Sequence, residues 1–245
     1  MGRFVILSGP SCVGKGPLVT ALRRFHPELA EGLQMVVLSN SRAPRPSEKD
    51  GRDYHFRRRE EIEALRKKDN FVVMDVRGDL QALDLEELGR TLETGDAFFE
   101  GNPFVGQELL RCPVPDGVER VTAFLSPLSK EELTCLRDET HADLPGLVTE
   151  VMRRKLLRRT SRQKGHLSLP DLQEIERRAS SAYNELKLAW QFGPTIVNHD
   201  GEDSENWNAF YYPLGDARGA LAAFADLLAG REPRRAERWS EDMLP

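Results

Sequence analysis

A chain of 245 residues with 39% hydrophobic and 31% charged residues has the make-up of an ordinary globular protein, long enough to bury a substantial core. Its formal net charge of −5 argues against a nucleic-acid partner, and no stretch approaches the roughly 20 apolar residues of a membrane span. Cys12, Cys112 and Cys135 have neither metal-ligand spacing nor an even count for disulfides, and Met1-Gly2-Arg3 runs straight into an apolar segment without a signal-peptide pattern, so the expected compartment is the cytoplasm.

Arg3 to Ser8 is a short apolar run that reads as a buried strand. It is followed by Gly9-Pro10-Ser11-Cys12-Val13-Gly14-Lys15-Gly16, and then by Leu18, Leu22 and Phe25 at helical spacing. Strand, glycine loop, lysine and helix form the context of a P-loop. Glycines let backbone amides close around phosphate oxygens at the favourable end of the helix dipole, and the lysine adds a point charge for the β- and γ-phosphates. ATP is therefore expected on Gly9, Ser11, Cys12, Val13, Gly14, Lys15 and Gly16. Two departures stand out: Gly16 takes the place of the usual Ser or Thr, and Pro17 has no amide hydrogen to offer. A lost donor to a charged oxygen weakens binding by roughly 1.5–3 kcal/mol.

Gln34 to Leu38 reads as a second buried strand, leading into a polar loop over residues 39–56. Arg42 and Arg45 lie three apart on a backbone stiffened by Pro44 and Pro46, which suits bidentate recognition of one phosphate, with Tyr54 able to add a hydrogen bond. The segment Arg42-x-x-Arg45, Glu48, Gly51-x-Asp53-Tyr54-x-Phe56 closely resembles the acceptor-binding loop of guanylate kinases, with Ser47 in place of a glycine. The resemblance implies that Arg42, Arg45, Glu48 and Tyr54 serve a nucleoside monophosphate while ATP and Mg²⁺ occupy the P-loop side.

Arg59 to Lys68 reads as a short helix, Phe71 to Val76 as a strand, and Leu85, Leu88 and Leu92 mark a helix stopped by Gly95. The family pattern implies a guanine-reading glutamate near Val73 and then a Gly-x-Tyr-Tyr-Gly-Ser/Thr turn; this chain has Gly78-Asp79-Leu80-Gln81-Ala82-Leu83 there. Ala97 to Glu100 is a third core strand, and the resemblance makes Glu100 the residue available to the acceptor and, through water, to the metal, with no direct protein ligand to the ion. A fourth strand spans approximately Val118 to Leu125, and Ser129-Lys130-Glu131-Glu132 is a capping box.

Between Val148 and Lys164 lie Arg153, Arg154, Lys155, Arg158, Arg159, Arg162 and Lys164, readable as a solvated helix face or as a lid carrying positive charge to the transferring phosphates. Leu172, Ile175, Ala179, Ala182 and Leu186 trace the core face of a further helix. There Arg178 matches a family arginine that contacts phosphates, and Arg137 is a looser second match; both are implied as catalytic. Pro194 to Asp200 resembles the family's last strand, Asp216 is expected to cap a final helix ending at Gly230, and residues 231–245 carry no apolar periodicity and are expected to be a disordered tail.

The expected fold is α/β, a P-loop-type parallel sheet flanked by helices. One domain over 1–230 is divided into a core (1–39, 94–136, 177–230), an acceptor-binding subdomain (40–93) and an enlarged lid (137–176). The expected activity is ATP-dependent phosphoryl transfer to GMP or a related nucleotide. A non-catalytic guanylate-kinase-like binding module is the alternative; such modules lose the P-loop lysine or the glycine spacing, and both survive here.

Overall fold

The computed structural model describes residues 1–45 and 48–244, so Pro46 and Ser47 of the acceptor loop lie outside the described residues. In chain order the elements are β1 (Phe4–Ser8), α1 (Lys15–Phe25), α2 (Pro27–Ala30), β2 (Leu33–Met35), β3 (Ser39–Asn40), β4 (His55–Phe56), α3 (Arg59–Leu65), β5 (Phe71–Val76), β6 (Asp79–Asp84) and α4 (Leu85–Thr94). There follow β7 (Asp96–Gly101), α5 (Pro103–Arg111), β8 (Arg120–Ser126), α6 (Lys130–Thr134), α7 (Leu144–Lys164), α8 (Leu169–Leu186), β9 (Thr195–Val197), α9 (Gly215–Leu228) and β10 (Ala236–Glu237). The chain divides into two compact units, one of Met1–Ile6, Gly32–Phe99 and Phe104–Arg120, the other of Leu7–Glu31, Glu100–Pro103 and the remainder from Val121.

In the first unit β2 runs parallel to β7, and a four-stranded sheet has the order β4-β3-β6-β5. The expected second strand over 34–38 is interrupted. Val36 donates to the Phe98 carbonyl while Leu38 already accepts from the His55 amide, so this apolar run leaves one sheet and enters another. β6 had no clear signal in the sequence. It exists because Arg77 (φ 56°) and Gly78 (φ 86°) both adopt left-handed backbone, the two-residue turn whose twist matches a hairpin. The β5–β6 register pairs Val73 with Ala82 and Met74 with Gln81. α3 packs on one face of this sheet, where Ile62, Leu80 and Ala82 form a buried cluster with Leu65, Phe71 and Val73 against it. Asp84 caps α4, its Oδ1 accepting from the amides of Glu86 and Glu87 at 2.9 and 3.3 Å.

In the second unit β9 pairs parallel with β8 and β10 antiparallel with β9. α7 buries Leu144, Val148, Met152, Leu156 and Thr160, one residue in four, so an apolar row runs along the helix under its basic surface. α8 follows after Gly165–Ser168; Arg153 of α7 forms a two-pronged ion pair with Glu176 of α8 (2.8 Å each), and Lys164 pairs with Asp171. Among the described residues, the stretch 231–244 is held in place where a disordered tail was expected. β10 occupies the edge of β9, and Trp239, Met243 and Leu244 are buried at 8%, 8% and 4% exposure. α9 also starts differently from expectation. Asp216 is turned toward His199, and Asp200 Oδ2 accepts from the Ala217 amide (2.8 Å). No helix among the described residues is long and apolar enough to cross a membrane.

Candidate active site

The phosphate-donor side lies within the second unit. Two glycines make its loop possible. A Cβ on Gly9 would stand 2.5 Å from the Leu125 carbonyl oxygen, and Gly14, at φ +106°, would place one 2.4 Å from Asn198 Nδ2. The loop is held from behind by the segment after β9: Asn198 Nδ2 donates to the Val13 carbonyl (2.7 Å) and the Glu202 amide to the Cys12 carbonyl (3.1 Å). Trp207 Nε1 in turn donates to the Gly201 carbonyl (2.6 Å). Lys15, only 6% exposed, folds back on the loop, its Nζ donating to the carbonyls of Gly9 (2.8 Å) and Pro10 (2.9 Å). Burial pushes the Cys12 thiol up to about 12, so Cys12 contributes backbone and not a nucleophile. Pro17 falls in the first turn of α1, where a missing amide hydrogen does not interrupt the helix.

Around this loop sits a charge cluster that the sequence reading only partly anticipated. Burial raises the Glu100 carboxyl, Lys15 draws it back down, and Glu202 adds to the rise, so the two carboxylates and the ammonium feel one another directly. Arg159 Nη1 donates to Glu202 Oε2 at 2.7 Å, while Arg178, 7% exposed, has its Nε 2.7 Å from Glu174 Oε1. The Glu174 charge also acts on Arg159, which links both arginines to one acidic group. Arg178 is thus part of the cluster, whereas Arg137 pairs with Asp138 (2.6 Å) and donates to the Met243 carbonyl (3.3 Å), a setting that ties it to the chain's last turn and gives its implied phosphate role no support. Arg159, Asn198 and Glu202 were not singled out beforehand, because one arginine among seven cations carries no positional signal.

The basic run of α7 is engaged throughout. Lys155 donates to the His199 carbonyl, Arg158 lies 3.8 Å from Asp203, Arg162 donates to the Asp203 carbonyl, and Arg154 pairs with Glu150 at 3.1 Å. Lys155, Arg158, Arg159 and Arg162 clasp the segment that itself backs the P-loop. Beside α1 a groove of about 360 Å³ is lined by Gly16, Pro17, Thr20, Arg24, Phe25 and Trp207, among others. Arg24 stacks there on the rings of Phe25 (4.9 Å) and Tyr211 (5.0 Å).

The acceptor-loop residues lie within the first unit. Arg42 reaches Glu48 with both terminal nitrogens (2.7 and 2.6 Å), and Glu48 also accepts from the Arg45 amide (2.8 Å) and, at 3.3 Å, from its guanidinium. Partial burial would raise the Glu48 carboxyl, but Arg42 and the Arg45 amide outweigh that and hold it below the usual range. Arg42 stands over the rings of Tyr54 (5.1 Å) and Phe56 (5.6 Å). Glu48 therefore acts here as the counter-ion that aligns two arginines. Val73, where a base-reading glutamate was implied, packs under α3 and does not share the face of Arg42.

A strand running into a glycine loop and a lysine at the head of the next helix define a P-loop nucleotide-phosphate-binding α/β protein. The family model for guanylate kinase matches residues 1–94. A guanylate kinase of Synechococcus sp. is 31% identical over 220 residues, covering 89% of this chain and 86% of its own. One from Nocardia farcinica is 48% identical over 64 residues, 26% of this chain and 31% of its own. A solved guanylate kinase from Anaplasma phagocytophilum matches in fold with a TM-score of 0.51 at 19% identity, over 96% of this chain and 89% of its own. The chain belongs to the guanylate kinase family and is an enzyme, a nucleoside monophosphate kinase.

Proposed function

We propose that this protein transfers the γ-phosphoryl group of ATP to a nucleoside monophosphate, with Lys15 and Arg159 neutralising the donor phosphates and Arg42, Arg45 and Tyr54 holding the phosphate of the acceptor. The observation that carries this reading is the P-loop itself: glycine spacing and lysine are intact, and Lys15 Nζ rests on the loop's own carbonyls, where an incoming phosphate would take over its hydrogen bonds. Guanylate kinases as a family phosphorylate GMP with ATP and Mg²⁺.

Phosphoryl transfer asks little covalent chemistry of the protein; it needs two polyanions in line and the developing charge neutralised. Lys15 covers the β- and γ-oxygens. Arg159 and Arg178, each already paired with a carboxylate, exchange those partners for phosphate oxygens as ATP enters, at the small net cost of swapping one charge-assisted bond for another. The donor nucleoside extends along the groove beside α1. On the other substrate, Glu48 presents Arg42 and Arg45 so that both forks meet one phosphate.

Among the described residues no group of three or more His, Cys, Asp or Glu could hold a metal ion, and Gly16 offers no hydroxyl. Glu100 and Glu202 are the carboxylates that would hold, through water, an ion carried on the ATP phosphates. Bound in that way it would shield the charge of the donor phosphates.

The test is steady-state release of ADP from ATP and Mg²⁺ with a panel of nucleoside monophosphates. Turnover dependent on an added monophosphate is expected. Binding of ATP without acceptor-dependent release would refute transfer.

A further inference from the structure

On the sheet β4-β3-β6-β5, the face opposite α3 carries Asn40, Phe56, Met74 and Gln81. Asn40 is the register partner of both Phe56 and Gln81, and Gln81 that of Met74. Side chains alternate along a strand, so these four share one face while Val73, Leu80 and Ala82 meet α3 on the other. It is also the face of the acceptor arginine: Arg42 stacks on Phe56, and the Asp79 charge, two residues from Gln81, acts on it.

Asn40 is 1% exposed. Its Oδ1 accepts from the Arg42 amide (3.1 Å), which fixes the orientation of the carboxamide. Its Nδ2 is buried with no hydrogen-bond partner among the described residues. Gln81, 8% exposed, lies beside it as its register partner. Buried amides are ordinarily paired, because leaving such a donor without an acceptor is unfavourable. An orphaned amide donor with a second buried carboxamide beside it, next to the acceptor-loop arginine, has the form of a site prepared for a polar edge.

We infer that Asn40 and Gln81 read the base of the acceptor nucleotide, and that the edge they take offers a hydrogen-bond acceptor to Asn40 Nδ2 beside a donor–acceptor pair for Gln81. This deepens the acceptor reading above and rests on it. A carboxylate at such a site would suit the adjacent N–H donors of guanine. A neutral carboxamide instead matches the mixed edge of a 6-oxo- or 6-aminopurine, and Asn and Gln pair with such edges in a bidentate manner. The 2-amino group of guanine has no partner in this pair, so IMP and AMP are expected to match or exceed GMP.

The experiment compares kcat and KM for GMP, IMP, AMP and the base-free ribose 5-phosphate in the wild type, Gln81→Ala, Gln81→Glu, Asn40→Asp and Asp79→Asn. Asn40→Asp keeps an oxygen that accepts from the Arg42 amide and replaces the donor by a charged acceptor oxygen. Expected is a rise in KM of about tenfold for IMP and AMP in Gln81→Ala and Asn40→Asp, with kcat, the KM for ATP and any ribose 5-phosphate activity unchanged. In Gln81→Glu the ratio of GMP to IMP efficiency should rise about tenfold or more. Equal losses with and without a base would mean a merely structural pair and overturn the inference, with phosphoryl transfer still standing. A shift in base preference confined to Asp79→Asn would assign the reading to Asp79 instead. No acceptor-dependent turnover in the wild type would overturn the proposed transfer, and this inference with it.

Discussion

Lys15 illustrates how a single charged group can be buried and still be available. Its ammonium is buried and donates to the carbonyls of Gly9 and Pro10, which can be released to water when phosphate arrives. Lys15→Ala is expected to lower kcat/KM by about 10²–10³, the size of losing one preorganised electrostatic donor. Thermal unfolding should move far less, because the two carbonyls left behind lie on a loop that ligand and solvent must reach. A variant with near wild-type turnover would remove Lys15 from the mechanism. His199 makes a different kind of contribution. Partial burial pulls its imidazole down, but Glu132 (2.9 Å) and Asp216 (2.6 Å) on its two ring nitrogens outweigh that and raise it. A group raised on folding adds stability that is complete below its unfolded value near 6.5 and fades as pH climbs past the raised value. His199→Gln should therefore be less stable than wild type at about pH 6 and converge with it at about pH 9. The pair is partly exposed, so the difference should stay below about 1 kcal/mol. Parallel stability curves across that range would show that the cluster does not titrate this way.

At the scale of elements, α7 has two tasks on opposite sides. Its row of every fourth residue builds the core with Leu144, Val148, Met152 and Leu156, and its cations reach α8 and the segment 199–205. Since Glu202 and Asn198 of the following segment hold the P-loop backbone, α7 stabilises the phosphate loop at one remove. Arg159→Met removes a charge-assisted bond of the kind worth about 1.5–3 kcal/mol and frees Glu202 beside Glu100. The expected outcome is a KM for ATP raised about tenfold or more together with a lower melting temperature. Arg154→Met, on an exposed pair within the same helix, should change neither. If both variants behave alike, the clasp is only surface charge.

For the molecule as a whole, each unit is assembled from three separate stretches of chain, so neither corresponds to one continuous piece that could be excised. The last residues matter to the second unit. β10 pairs along β9, Lys130 and Trp239 both donate to Glu237 (2.9 Å each), and Trp239 is buried. Trp239→Ala should cost about 3–5 kcal/mol, read as a shift of the denaturant midpoint, since a large aromatic leaves a void that its surroundings fill only in part. A change under about 0.5 kcal/mol would mean that the final segment adds little to stability.

The sequence by itself determined the local features whose chemistry is written in consecutive residues. The strand–loop–lysine–helix order announces the P-loop, because glycine spacing and a following apolar helix admit few other structures. That Arg42, Arg45 and Tyr54 lie together was legible for the same reason, since a short loop keeps sequence neighbours together in space. Tertiary structure alone decided what depends on partners distant in the chain. The seven cations of α7 differ only in which carboxylate or carbonyl faces them, and no pattern within the helix selects Arg159. That Glu48 pairs with both arginines is likewise decided by the folded loop. Residues 231–244 lack periodicity because a two-residue edge strand and one tryptophan need none; the open edge of β9 supplies the order. Asn40 and Gln81 are 41 positions apart and unremarkable in composition. Only the register of β3 on β6, with the apolar residues that α3 covers on the other face, turns both carboxamides to the face of Arg42.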